Sequence, residues 1–130
     1  MAHYLDTSAL VKLVVNERQT PALLAWLEGR DGEVLSSDLA RTELFRVVRR
    51  AAPESLERAR AVLDSITLID LPTTTFEEAG RLSPAALRSL DALHLAAALH
   101  LEDDLDSIVT YDERQATAAR LNGIATTAPA

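Results

Sequence analysis

The chain of 130 residues contains no cysteine, and aromatic side chains make up only 4% of it. Disulfides, thiolate nucleophiles and cysteine-based metal sites are therefore excluded, and a core must consist mainly of Leu, Val, Ile and Ala. The longest apolar stretch, residues 93–101, carries two histidines and is too short to span a bilayer. Because no basic region followed by an apolar run opens the chain, we expect a cytoplasmic protein without a signal peptide or membrane contact.

Basic charge is also scarce, since 13 Lys and Arg residues face 20 Asp and Glu residues, for a net charge of −7. Such a chain is a poor electrostatic match for nucleic acid, so a nucleic-acid role requires a metal ion, a basic partner or a local basic patch. Six arginines offer either such a patch or the ordinary solvated surface of a helical hairpin: Arg41, Arg46, Arg49, Arg50, Arg58 and Arg60. The length and the 48% hydrophobic content suit a single domain, residues 1–130.

Short apolar runs alternate with longer helical patterns along the chain. Strands are predicted at 3–5, 33–36, 66–71, 107–110 and 124–126, and helices at 8–15, 20–29, 38–52, 53–65, 74–82, 90–102 and 112–121. The predicted helix caps include Ser37 or Asp38, Thr74 or Thr75, and Ser89. This alternation favours a three-layer α/β domain, in which helices cover both faces of a mainly parallel sheet of four to five strands. Residues 127–130 are expected to form a loose tail.

Acidic residues follow two of the predicted strands. Asp6 comes directly after the first strand, and Asp112 follows the fourth with only Tyr111 between. Ligand sites in parallel sheets form at the carboxyl ends of the strands, so both carboxylates are expected at the same edge of the sheet. Each of them is equally well explained as the N-cap of the helix that follows, which is a common role of Asp.

Asp91 begins a segment, 91–99, that is apolar nearly all round and is therefore expected to be a buried helix. An acid in a first turn gains from the helix dipole, which would be a purely structural role. However, Ser89 is predicted to supply the cap, and burying a further carboxylate is costly unless a cation or hydrogen bonds compensate it. We therefore favour a functional role for Asp91.

Glu43 lies at the margin of the apolar face of its helix, and taken alone it is best explained by a weak surface ion pair with Arg46 or Arg50. Phe45 is predicted on the exposed side of the same helix, as part of a partner surface or as an ordinary exposed apolar residue. Since His94 and His100 do not share a helix face and no zinc-site spacing occurs, a zinc site is not expected.

Four segments resemble the motifs of PIN-domain nucleases. They are residues 4–13 (YLDTSALVKL), 41–44 (RTEL), 87–98 (LRSLDALHLAAA) and 109–114 (VTYDER), the last followed by Ala118, Ala119 and Gly123. Their order, spacing and total length resemble those of the VapC-type toxins of toxin–antitoxin pairs, over essentially the whole chain. The first and third motifs are specific, whereas the second is weak on its own.

The resemblance implies a PIN-like fold, endoribonuclease activity that depends on Mg²⁺ or Mn²⁺, and inhibition by a cognate VapB-type antitoxin. It assigns catalysis and metal binding to four acids, which are Asp6, Glu43, Asp91 and Asp112. Supporting hydroxyls would be Thr7, Ser8 and Thr110, and the candidates for steering the RNA strand are Arg46, Arg50 and Arg114. By analogy we also expect a homodimer, and an antitoxin that covers apolar surface and inserts an arginine into the acidic pocket.

The chemistry of these residues agrees with the resemblance. Crowded carboxylates repel one another unless a cation neutralises them, and hard oxygen donors favour Mg²⁺ or Mn²⁺ over zinc. We hypothesise that Asp6 and Asp91 form the core of one metal site, and that Asp112 and Glu43 assist it or hold a second ion. A metal-activated water would then attack a phosphodiester in line.

Other functional classes have less support in the sequence. An α/β phosphatase of the haloacid-dehalogenase type would need a second Asp at position 8, where the chain has Ser8. Dinucleotide binding would need a Gly-rich turn after the first strand, and none is present. A non-catalytic module that docks a partner through its Leu- and Ala-rich helices stays open, although retention of all four acids argues against a purely structural role.

Overall fold

A computed structural model describes all residues, 1–130, and shows five strands and seven α-helices. The strands are β1 (Ala2–Leu5), β2 (Glu33–Ser37), β3 (Thr67–Ile69), β4 (Leu105–Val109) and β5 (Thr126–Thr127). The helices are α1 (Thr7–Val14), α2 (Thr20–Glu28), α3 (Leu39–Ala51), α4 (Leu56–Ser65), α5 (Thr73–Ala79), α6 (Ser89–Leu99) and α7 (Glu113–Leu121), and short 3₁₀ helices occupy Pro53–Ser55 and Glu102–Asp104. The predicted three-layer α/β class is confirmed.

The five strands are all parallel and lie in the order β3-β2-β1-β4-β5. The chain first winds outward from β1 to β2 and β3, and then returns to the other side of β1 with β4 and β5. The strand order therefore reverses between β1 and β4, where Leu5 pairs in register with Val109. In open parallel sheets, ligands bind outside the carboxyl ends of the strands at such a point.

The residues of β1 show how the sheet divides the core, because successive side chains of a strand point to opposite faces. Leu5 belongs to a buried cluster with residues of α1, α2, α3 and α4. Tyr4 belongs to a second cluster, on the other face, with residues of α6 and α7. Both clusters consist almost entirely of Ala, Leu, Val and Ile, as predicted from the low aromatic content.

Two of the predicted helix caps are wrong. Helix α5 begins at Thr73 after Pro72, and α6 begins at Ser89 after Arg88, with no capping hydrogen bond from a side chain in either case. Arg88 already holds the extended conformation that precedes a helix (φ −67°, ψ 149°), so Ser89 lies inside the first turn. Because Ser89 supplies no cap, it gives no support for a functional role of Asp91. Only the contacts of Asp91 distinguish a functional role from a structural one.

The start of α3 also differs from the prediction. Asp38 occupies the N-cap position, but its carboxylate makes no capping bond and instead accepts a hydrogen bond from Nε of Arg41 at 2.8 Å. Phe45 is not exposed as predicted, since it packs against the first cluster, with the Arg60 guanidinium 5.2 Å from its ring centroid. The reason is that α4 lies alongside α3 and covers this side of it.

Three further observations concern the C-terminal residues, the end of α6 and membrane crossing. Thr127 pairs with Val109 at the edge of the sheet, and the Tyr111 hydroxyl donates to the Pro129 carbonyl at 2.7 Å. Helix α6 ends at Leu99, earlier than predicted, because the chain turns into a 3₁₀ helix whose first residue, Glu102, has a φ of 50°. None of the helices combines the length and the apolar character that crossing a membrane requires.

Candidate active site

A cleft of about 450 Å³ opens at the carboxyl ends of β1 and β4, and we call it the acidic cleft. All four predicted acids line it: Asp6, Glu43, Asp91 and Asp112. They come from four separate segments, which are the β1–α1 junction, α3, the first turn of α6 and the residue before α7. Thr7 and Ser8 line the same cleft, whereas the three predicted arginines, Arg46, Arg50 and Arg114, lie outside it.

Asp6 is the most buried of the four acids, with 4% of its surface exposed. Its Oδ1 accepts hydrogen bonds from the Ser8 hydroxyl at 2.5 Å and from the Ala9 N–H at 3.2 Å, and its Oδ2 accepts one from the Thr110 hydroxyl at 2.5 Å. Burial raises the pKa of Asp6, and the bonds from Ser8 and Thr110 partly offset that effect. Asp6 is thus the N-cap of α1 and, at the same time, a fixed carboxylate in the cleft.

The hydroxyls of Thr110 and Ser8 connect the two strand ends. Thr110 accepts the N–H of Asp112 at 3.2 Å, and Ser8 accepts the N–H of Tyr111 at 2.9 Å. Asp112 is exposed and caps α7 by accepting the Arg114 N–H at 2.9 Å. The residues after β1 and those after β4 therefore form one hydrogen-bonded unit, and the capping role expected of both aspartates coexists with their place in the cleft.

Glu43 does not form the surface ion pair with Arg46 or Arg50 that its helix position suggests. Its Oε1 lies 2.6 Å from Nε2 of His94 and accepts the Thr7 hydroxyl at 2.9 Å. Burial opposes ionisation of this carboxyl, but the hydrogen bond and charge of His94, together with the Thr7 bond, outweigh it and lower the pKa of Glu43. These contacts hold Glu43 toward the cleft.

His94 belongs to the site although it was not among the predicted site residues. Its side chain is buried, and Nδ1 lies 2.7 Å from the hydroxyl of Tyr4, which donates to Ser37 Oγ at 2.9 Å. The signal was present in the third motif, because His94 follows Asp91 by three residues and so shares its helix face. His100 lies elsewhere on the helix, so the spacing of the two histidines gives no indication of this role.

Asp91 is the acid with the fewest partners. Its carboxylate makes no hydrogen bond or ion pair in the structure, although its main-chain carbonyl accepts Nε2 of Gln115 at 3.0 Å. Partial burial, followed by the negative charges of Asp112 and Asp6, raises the pKa of Asp91. An ionised Asp91 therefore has no hydrogen-bond or ion-pair partner within the chain, and the charge of His94 offsets only part of the repulsion from Asp112 and Asp6.

Lys12, the only lysine of the chain, was also missed. It lines the acidic cleft with 9% of its surface exposed, and its Nζ lies 3.1 Å from Oε1 of Gln19 and 3.5 Å from Oε1 of Glu17. The same ammonium lies 4.7 Å from the centroid of the Tyr111 ring. Its position one helical turn after Ser8 was the available signal. The acidic cleft thus contains a lysine ammonium beside its acids.

The donor set of the cleft fits a hard divalent cation in its chemistry, because it offers carboxylate and hydroxyl oxygens and no sulfur. As the side chains are placed, however, no group of three or more His, Cys, Asp or Glu residues could hold a metal ion. Asp6, Glu43 and Asp112 each accept hydrogen bonds within the chain, whereas the Asp91 carboxylate is free to turn. Metal binding in this cleft would therefore require some of these side chains to reorient.

Comparison with protein families matches residues 3–121 to the PIN domain. The chain is similar to Ribonuclease VapC47 of Mycobacterium tuberculosis, with 42% identity over 97% of this chain and 96% of the relative. It is also similar to Ribonuclease VapC46 of the same species, with 41% identity over 98% of each chain. These alignments include the segments that carry all four acids of the cleft.

Solved structures with the same fold share less sequence. Mycobacterium tuberculosis VapC20, described as a toxin that cleaves the sarcin–ricin loop, has a TM-score of 0.77 and 16% identity, and the match covers 98% of this chain and 99% of that one. A toxin–antitoxin complex from Klebsiella pneumoniae has a TM-score of 0.74 and 22% identity, with 98% of each chain covered. At these identities the two structures establish likeness of fold alone.

Proposed function

Since this chain belongs to the PIN-domain family and, within it, to the VapC ribonucleases, we propose that it is an endoribonuclease toxin that cleaves RNA in the acidic cleft. The observation that carries the proposal is the convergence of Asp6, Glu43, Asp91 and Asp112, from four distant segments, at the point where the strand order reverses. A purely structural role would account for Asp6 and Asp112 as helix caps, but not for Asp91, whose carboxylate has no partner.

We further propose that the reaction depends on Mg²⁺ or Mn²⁺, held mainly by Asp6 and Asp91 and assisted by Asp112 and Glu43. When bound, such an ion would offset the crowded negative charge, activate a water and stabilise charge on the phosphodiester. It would also help an acidic chain approach RNA, which the net charge of −7 otherwise opposes.

The chain's own residues have positioning roles in this proposal. Ser8 and Thr110 each donate to one oxygen of Asp6, so that the carboxylate keeps a single orientation. His94 and Thr7 do the same for Oε1 of Glu43. Fixing the acids before substrate arrives lowers the reorganisation that the reaction would otherwise require.

A VapB-type antitoxin is the partner that we propose, because solved structures of this fold include a toxin–antitoxin complex and VapBC2 from Rickettsia felis, which is bound to a DNA fragment of its promoter. We also propose, by analogy, that two copies of the chain form a dimer and that the protein acts in the cytoplasm. Induced expression should arrest growth, and co-expression of a cognate VapB-type antitoxin should restore it. Growth arrest that persists with the antitoxin would contradict the pairing.

The experiment that tests the proposed activity is cleavage of RNA by the wild type, Asp6→Asn and Asp91→Asn, in Mg²⁺, in Mn²⁺ and in EDTA. Asp103→Asn is the matched control, since it removes one negative charge from an exposed residue outside the cleft. We expect cleavage by the wild type and the control only when metal is present. Full activity of both cleft variants, or activity in EDTA, would overturn the mechanism.

Calorimetric titration with Mn²⁺ separates an enzyme from a docking module. The wild type should bind Mn²⁺, and Asp91→Asn should bind it more weakly because an oxygen ligand is lost. If the wild type neither binds Mn²⁺ nor cleaves RNA, the non-catalytic module considered from the sequence becomes the better description.

A further inference from the structure

A second cleft, of about 520 Å³, adjoins the acidic cleft and shares Asp91 with it. We call it the arginine cleft, because two arginines, Arg88 and Arg114, line it. Its other lining residues are Pro84, Ala86, Leu87, Glu113 and Thr117. The two clefts therefore meet at the carboxylate that has no partner within the chain, and together they form a continuous surface across the proposed reaction centre.

The two arginines are placed by the same helices that place the acids. Arg88 is the residue before α6, three residues ahead of Asp91, and Arg114 lies in the first turn of α7, two residues after Asp112. Both side chains are exposed, and neither guanidinium forms an ion pair. Their charges are thus free to bind an anionic ligand beside the acids.

The chemistry of the arginine cleft suits a nucleotide chain. Arg binds phosphate with paired N–H donors, which makes it well suited to a polynucleotide backbone. Pro84, Ala86 and Leu87 add apolar surface, on which an unstacked base or a ribose could lie. Bases are available for such contacts in single strands and loops but not inside a duplex.

From this arrangement we propose that the arginine cleft binds the single-stranded RNA that flanks the scissile phosphate, with Arg88 and Arg114 on the phosphates and Pro84 and Leu87 against a base or sugar. The inference rests on the proposed function and extends it, since it gives the direction in which the substrate leaves the acidic cleft. Of the three arginines that the sequence suggested for this role, Arg114 lines the arginine cleft, whereas Arg46 and Arg50 line neither cleft.

The test compares an eight-nucleotide single-stranded RNA with a dinucleotide. In an Asp6→Asn background, adding Arg88→Ala and Arg114→Ala should weaken binding of the octanucleotide about tenfold or more. The slope of log K against log salt should fall by roughly 1.4, because each phosphate contact on a single strand contributes about 0.7. In otherwise wild-type protein, the same pair should raise KM for the octanucleotide more than it changes kcat, and more than it raises KM for the dinucleotide.

Arg18→Ala with Arg81→Ala is the matched control, because it removes two exposed arginines that line neither cleft. It should leave octanucleotide binding and KM within about twofold of the wild type. Arg88→Lys with Arg114→Lys should retain part of the affinity, since the charge remains and the paired donors are lost. Thermal unfolding of each variant checks that these exposed substitutions preserve the fold.

Two failures can be told apart. If the wild type cleaves RNA but Arg88→Ala with Arg114→Ala binds and cleaves the octanucleotide like the control pair, the arginine cleft is not the flanking site, and the proposed function stands. If the wild type cleaves no RNA under any metal condition, the proposed function falls, and the assignment of this cleft falls with it.

Discussion

Oε1 of Glu43 lies 2.6 Å from Nε2 of His94, and this contact joins α3 to α6 across the acidic cleft. The other ring nitrogen of His94 is held by the Tyr4 hydroxyl at 2.7 Å, so the imidazole is fixed from both sides. The orientation of Glu43 is therefore set by a buried side chain 51 residues away in the sequence. A residue that holds a ligand or a catalytic acid in this way commonly matters almost as much as the acid itself.

Replacing His94 tests that positioning role. His94→Gln should lower kcat about 10- to 100-fold, because Glu43 loses the partner that orients it, while KM changes little. Tyr4→Phe should have a smaller effect in the same direction, since it removes only the hydroxyl at Nδ1. His100→Gln is the control, because His100 is exposed and pairs with Glu78 instead of with a residue of the cleft. An unchanged kcat in both His94→Gln and Tyr4→Phe would show that His94 does not position Glu43 for the reaction.

Neutralising Asp91 should stabilise the protein in the absence of metal. The ionised carboxylate has no hydrogen-bond partner and lies near other negative charges. Asp91→Asn should therefore raise the melting temperature in EDTA by a few degrees, although it abolishes cleavage. Asp103→Asn provides the comparison for loss of one negative charge on an exposed surface. A lower melting temperature for Asp91→Asn would show that the carboxylate is compensated in solution.

The stability gained by Asp91→Asn should also depend on pH. Because the pKa of Asp91 is raised in the folded state, the folded protein holds this proton more tightly than the unfolded chain does. The wild type should therefore lose stability relative to Asp91→Asn as the pH rises from about 3.9, the ordinary pKa of Asp, through the raised value. Urea unfolding of both proteins in EDTA, at pH values roughly half a unit apart from about 3.5 to 7, measures this difference. A difference in the free energy of unfolding that narrows as the pH rises contradicts the expectation.

A bound metal ion should offset the loss of stability that the repulsion between the carboxylates of the acidic cleft causes. A cation that binds the folded protein alone stabilises it by about 2.7 kcal/mol at a concentration one hundred times its Kd. Mn²⁺ should thus raise the melting temperature of the wild type and of Asp103→Asn, and much less that of Asp6→Asn or Asp91→Asn. Equal shifts in all four proteins would place the metal outside the cleft.

The Thr110 hydroxyl should contribute to stability through Asp6. Thr110→Val keeps the side-chain shape but leaves Oδ2 of Asp6 without its donor at a buried position. The expected cost is about 1–3 kcal/mol in the free energy of unfolding, whereas Thr110→Ser, which retains the hydroxyl, should cost less. Thr117→Val gives the same substitution at an exposed position. Urea unfolding measures all three, and equal effects at positions 110 and 117 would be inconsistent with the Asp6 contact.

Much of this architecture is encoded locally and could be predicted from the sequence. Alternating apolar runs and helical patterns gave the five strands and seven helices, and strand ends located Asp6 and Asp112. These predictions succeeded because side-chain periodicity and strand-end placement depend on neighbouring residues. The caps at Ser89 and at Thr74 or Thr75 failed, since the exact first residue of a helix depends on how the preceding segment packs.

The sequence by itself determined which acids were candidates, and the motif resemblance grouped them. Only the tertiary structure decided what each acid does in the absence of ligand: Asp6 is held by two hydroxyls, Glu43 by His94, and Asp91 by no side chain. It also decided that Arg88 and Arg114, and not Arg46 or Arg50, lie beside Asp91. The physical reason is that partners 36 to 104 residues apart meet only when parallel strands align their carboxyl ends, and no local pattern encodes that proximity.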